Sequence, residues 1–166
     1  ELGDNLYNKT YTLSSSDLNV DDGFNMIIFS DGTKQTKDLS TVGQRIFTPL
    51  KGGTCYSLTA MMTQSPMYKS ATVETVKNGT RNLENFIQPV KVILWGGIYT
   101  CEKLEILAES SAVTNHEWQP FELTLKPHNN YTYITIEAFY SKSQEKKFNG
   151  HVLIDNLSPI IAIDCK

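Results

Sequence analysis

Few stretches of this sequence bring together residues able to do chemistry. One is NGHVLIDNLSPI, Asn149 to Ile160. Val152, Ile154 and Leu157 stand where a strand buries its side chains, yet Asp155 and Asn156 interrupt the run. An unpaired carboxylate is costly to bury there. Two roles for Asp155 are open: its side chain ends the strand and fixes a turn, or it holds a cation or a loop at the rim of a β-sandwich. A second stretch is Trp95-Gly96-Gly97, with Tyr99 close behind. A pyranose stacks its apolar face on such a ring and exchanges water for side-chain polar groups at its hydroxyls. The glycines let a ligand approach the backbone. Lys91, Glu137 and Tyr140 are the candidates to line the same rim, while Trp118 reads as a core residue under a strand start.

Enzymatic patterns are missing. Glu102 with Glu105, and Asp21 with Asp22, are acidic pairs, but nothing places either across a cleft at glycosidase separation. There is no Gly-x-Ser-x-Gly, no His-Glu-x-x-His and no phosphate loop. His116, His128 and His151 fall in loops or at strand starts without a nucleophile signature. The sequence therefore predicts a protein that is not an enzyme. Cys55, Cys101 and Cys165 are too far apart for a zinc knuckle. One disulfide with a leftover thiol, or three buried thiols, are the two readings, depending on compartment.

The elements that must position these residues are strands. Tyr131–Tyr140 alternates cleanly, with Thr132, Ile134, Ile136 and Ala138 on one face and Tyr133, Thr135, Glu137 and Phe139 on the other. Val90–Trp95 turns Val90, Val92 and Leu94 inward and Lys91, Ile93 and Trp95 outward. Thr54–Met62 sets Tyr56, Leu58, Ala60 and Met62 against Cys55, Ser57 and Thr59. FNMIIFS and FELTL are shorter runs of the same kind, rich in the β-branched and aromatic residues a pleated surface prefers. Asp-Gly, Gly-Gly and Asn-Gly pairs separate them. Cys101–Ser110 is the one stretch with room for a helical turn. Ser65–Pro89 is polar and longer than an ordinary loop.

Many short strands with glycine-rich turns predict an all-β antiparallel sandwich or jelly roll, one domain over residues 1–166. With 40% hydrophobic residues, 20% charged residues and a net charge of −3, the chain is an ordinary globular domain with no basic stripe for nucleic acid. The basic cluster Lys142–Phe148 reads as a solvated hairpin loop. No apolar run approaches the ~20 residues of a membrane helix.

DDGFNMIIF followed by GQRIFTPLKGGTCYSLTAMM, then Trp-Gly-Gly, Asn-x-x-Trp, Asn-Tyr-Thr-Tyr and Leu-Ile-Asp-Asn in that order, resembles galactose-binding-like jelly rolls. The likeness runs from about Asp21 to Ile160 and is similar to modules of secreted and surface proteins of Bacteroidota, including those of gliding and type IX secretion. It implies a non-catalytic module, carbohydrate-binding or adhesive, exported to the extracellular space or cell surface, with a glycan or a surface protein as partner. A structural scaffold domain is the alternative. In related carbohydrate-binding jelly rolls an aspartate of the last strand ligates a structural calcium. Asp155 matches that position, and Asp22 or Asp21 beside Gly23, with Asp4 near the first strand, are the candidate helpers, since calcium takes six to eight oxygens. The family's usual first-strand acidic residue has no match in this chain.

Overall fold

The computed structural model describes residues 26–30, 41–71, 78–79, 83–140 and 150–165. The described residues form eleven strands: β1 Met26–Ser30, β2 Thr41–Leu50, β3 Cys55–Thr63, β4 Lys69–Ala71, β5 Leu83–Asn85, β6 Val90–Gly97, β7 Glu105–Glu109, β8 Gln119–Leu125, β9 Tyr131–Tyr140, β10 Gly150–Asp155 and β11 Ile161–Ile163. All strand pairings are antiparallel. One sheet is ordered β1-β10-β3, with β8 on the other edge of β3 and β11 continuing beyond β10. The second is ordered β2-β9-β6-β7. Long strands alternate between the two sheets in this way when two Greek keys wrap around each other, which is the jelly roll.

Local sequence explains which face turns inward. Leu58, Ala60 and Met62 of β3, Val90, Val92 and Leu94 of β6, Ile134, Ile136 and Ala138 of β9, and Val152 and Ile154 of β10 form one cluster between the sheets. Each set has the period of two that a pleated strand imposes. Leu123 and Leu125 of β8 close the same core. Cys55 lies on the opposite side of β3 from Leu58 and is bonded to Cys165, joining residues 110 apart. Cys101 is free and exposed. The reading with one bridge and one spare thiol is the one adopted.

Three expectations need correction. Glu105–Glu109 is a strand, not a helical turn, because its backbone is claimed by β6: Ile93 faces Glu109 and Trp95 faces Ile106. Between these pairs the register shifts, and the consecutive Leu107 and Ala108 are both buried. The stretch Ser65–Pro89 is not strand-free, since β4 and β5 form a separate two-stranded ribbon. Ile93 points outward by parity yet is 2% exposed. It sits in a row between Glu137 and Glu109, with Lys91 and Trp95 on either side along its own strand. The Lys142–Phe148 cluster, Asp4, Asp21 and Asp22 lie outside the described residues.

Candidate functional site on the outer face of the β2-β9-β6-β7 sheet

Three of the residues read from the sequence share one surface. Trp95 on β6 and Glu137 on β9 lie on the outer face of the second sheet, one pleat apart. The indole Nε1 donates to Glu137 Oε2 at 2.7 Å. The other carboxylate oxygen, Oε1, accepts from Lys103 Nζ at 2.7 Å. Glu137 is 12% exposed as a side chain, so both bonds form in a setting where water competes weakly. Lys91, also on β6, pairs with Glu109 on the neighbouring β7 at 2.6 Å. Its ammonium stands 5.7 Å from the centre of the Phe139 ring, within cation–π range. The result is a half-buried indole held at a fixed angle, with a satisfied carboxylate on one side and a lysine–phenylalanine pair beyond.

Tyr99 is not part of this patch in the same sense. It lies on the β6–β7 connection and is 69% exposed. Its backbone N–H and that of Ile98 both donate to Glu102 Oε2, at 3.1 and 2.9 Å. The carboxylate read as half of an acidic pair is therefore a turn-fixing group. Tyr140 ends β9 opposite Val90, and its side chain lies outside the described residues.

The connection carrying Tyr99 folds back over the sheet. A Cβ on Gly43 would stand 2.9 Å from the Cys101 backbone nitrogen and 3.1 Å from its sulfur. Thr135, wholly buried on the outer face, donates to the Glu102 carbonyl at 3.4 Å. Cys101 itself takes a φ of 59°, the left-handed region. Gly43 and Thr135 thus form a low floor on which residues 101–103 rest, and Lys103 arrives from there at Glu137.

A second polar cluster closes the end of the sandwich. Glu105 accepts from Tyr131 Oη at 2.6 Å and from the His128 amide at 2.9 Å, and it meets His128 Nδ1. Burial works against ionisation of Glu105, but the hydrogen bonds from Tyr131 and His128 outweigh it and hold the carboxyl below its usual range. Burial and the Glu105 carboxylate push the Tyr131 phenol up. The Tyr131 ring covers Gly96, where a Cβ would stand 2.5 Å from Cδ2. The Gly96 beside Trp95 thus makes room for a core ring, whereas the sequence suggests room for a ligand.

Asp155 is the last residue of β10, facing Met61, and is 9% exposed. Its Oδ1 accepts from the Asn156 amide at 2.7 Å, and Asn156 adopts a φ of 48°. The chain then crosses to β11 with Ser158 bonded to Thr59 through both its amide and its hydroxyl. Asp155 therefore fixes a turn. Among the described residues, no group of three or more His, Cys, Asp or Glu is arranged to hold a metal ion.

Sequence reasoning missed Lys103, Phe139 as a cation partner, Glu105 with His128 and Tyr131, and His151. Only His151 left a local trace: an ionisable residue at the second position of a six-residue strand that is buried throughout.

No protein-family profile matches the chain, and no curated protein matches it significantly. Among solved structures, it is similar to the CBM22-1–GH10 modules of the Clostridium thermocellum N-terminal endo-1,4-β-D-xylanase 10B, complexed with xylohexaose. That likeness has 13% sequence identity and a TM-score of 0.41, and it covers 89% of this chain and 25% of that one. The chain spans about a quarter of that protein's length.

Proposed function

We propose that this domain is a non-catalytic carbohydrate-binding or adhesive module of an exported protein, with the outer face of the β2-β9-β6-β7 sheet as its binding surface. The observation that supports this most is the Trp95–Glu137–Lys103 arrangement. A ring held by its own N–H presents a constant apolar surface, and fixing it in advance removes an ordering cost from binding. Glu137 retains lone pairs for ligand hydroxyls, and Lys91 supplies donors at the far side. Tyr99, exposed on the β6–β7 connection, extends the surface at one end. The Cys55–Cys165 bridge supports an oxidising compartment and hence export.

The test is a glycan array with the wild-type chain and Trp95→Ala, each checked by thermal melting. Retention of a defined sugar class by the wild type, lost in a Trp95→Ala protein that still melts cooperatively, supports the reading. Equal retention by both removes Trp95 from the site. A blank array moves the function to a scaffold domain that contacts other surface proteins. Phe47, fully exposed, and Ile98, Tyr99 and Leu104 are exposed apolar side chains that such a contact would use.

Calcium at Asp155 with Asp22 belongs to the same proposal. β1 begins opposite Ile154, so the chain enters the first sheet beside the end of β10 where Asp155 sits. Added calcium should raise the melting temperature of the wild type and leave Asp155→Asn unmoved. Identical melting of the wild type in calcium and in chelator leaves Asp155 with its turn alone.

A further inference from the structure

After β3 the chain leaves the sandwich at Ser65, and it returns at Phe86 before entering β6. Both points are tied to one imidazole. His151, on β10, is 0% exposed. Its Nδ1 meets the Phe86 carbonyl, and its Nε2 lies 2.9 Å from the Ser65 amide nitrogen. A carbonyl only accepts and an amide N–H only donates. Nδ1 therefore carries the proton, Nε2 is a bare acceptor, and the ring is neutral in one tautomer. Tyr68 lies against the ring at 5.2 Å and meets Phe86 edge-on at 6.2 Å. Gln64, itself buried, donates through Nε2 to the carbonyls of Gln88 and His151. Gln88 in turn bridges to Gly150. The exit and the return of this excursion meet at Gly150–His151.

We propose that His151 is a proton-operated clamp: a second proton on the imidazole breaks its bond to Ser65 and drives the charged ring from its seat, which releases the β4–β5 ribbon while the two main sheets stay folded. Protonation turns Nε2 from an acceptor into a donor that faces the Ser65 N–H, so the bond is lost and two donors oppose each other. The Nδ1–H bond to the Phe86 carbonyl survives protonation itself and is lost only as the ring, now charged and without solvent, leaves its seat. The titratable and charged groups on the segments tied to it are the Tyr68 phenol, which lies against the ring, Lys69 on β4, Glu84 on β5, and His116 and Glu117 between β7 and β8. His116 donates from Nδ1 to the Gln64 carbonyl at 2.9 Å. Burial, and then the charge of His116, hold His151 below its ordinary value of 6.5, against the opposing pull of its bond to Phe86. A histidine lowered in the folded state is protonated more readily in the released one. The clamp is therefore fully engaged above pH 6.5 and loses its contribution as the pH falls through the lowered value. This device is independent of the Trp95 surface.

The test is amide hydrogen exchange on the intact, disulfide-bonded chain at about pH 7.5 and about pH 5, corrected for intrinsic rates, with imidazole nitrogen NMR on the same sample. The expected result is a loss of protection about tenfold or more greater at 65–68 and 83–88 than in β6 and β9, together with a His151 ring protonated at Nδ1 alone at the higher pH. Unchanged protection at the ribbon overturns the proposal. So does an equal loss in β6 and β9, which would be global acid unfolding, and so does a proton on Nε2 at the higher pH.

Discussion

The Trp95–Glu137 bond can be measured by a double-mutant cycle. Trp95→Phe removes the indole N–H and keeps an aromatic ring on the face. Glu137→Ala removes the acceptor, and the double variant closes the cycle. A hydrogen bond to a charged group contributes about 1.5–3 kcal/mol, and the indole bond to Glu137, at 2.7 Å with the carboxylate 12% exposed, belongs in that range. The Lys103 contact adds less, at most about 1 kcal/mol, because the lysine is 27% exposed and screened. Glu137→Ala should therefore cost about 2–4 kcal/mol in all, with a coupling energy to Trp95→Phe of about 2 kcal/mol. Urea unfolding of the four proteins at one salt concentration reads this directly. In a thermal melt the coupled part corresponds to about 4–8 °C for a chain of this size. A coupling below about 0.5 kcal/mol would refute the reasoning, since that is the scatter expected of independent sites. Trp95 would then be held by packing alone, and a fixed platform could no longer be credited to Glu137.

Replacing both Cys55 and Cys165 by serine opens a loop spanning 110 residues of separation and should cost about 5 kcal/mol by the chain-entropy account, read as a lowered urea midpoint. A loss under about 2 kcal/mol would mean that the β11–β3 pairing holds the chain end by itself. Gly96→Ala sets a methyl 2.5 Å from a Tyr131 ring that Glu105 tethers, so it should destabilise by about 1–3 kcal/mol. A melting temperature within about 1 °C of wild type would show that the ring moves aside freely.

The sequence by itself determined the long strands β3, β6 and β9 and most of their inward faces. Leu58, Ala60 and Met62, or Ile134, Ile136 and Ala138, are core because the side-chain direction of a strand alternates with its own backbone, a local property readable at a period of two. The same periodicity put Trp95, Lys91 and Glu137 on outer faces. It carried no information about which strands are neighbours, because pairing joins residues far apart in the chain. Only the tertiary structure set β9 beside β6, and so brought Glu137 to Trp95 across 42 positions. It laid the β6–β7 connection over Gly43 and Thr135, sending Lys103 to Glu137. It closed both ends of the Ser65–Phe86 excursion on His151, at separations of 86 and 65 residues. It also reassigned Gly96 from a ligand's approach to the space beneath Tyr131. These contacts depend on side-chain reach and burial between distant segments, for which a one-dimensional pattern of apolar and polar residues has no term.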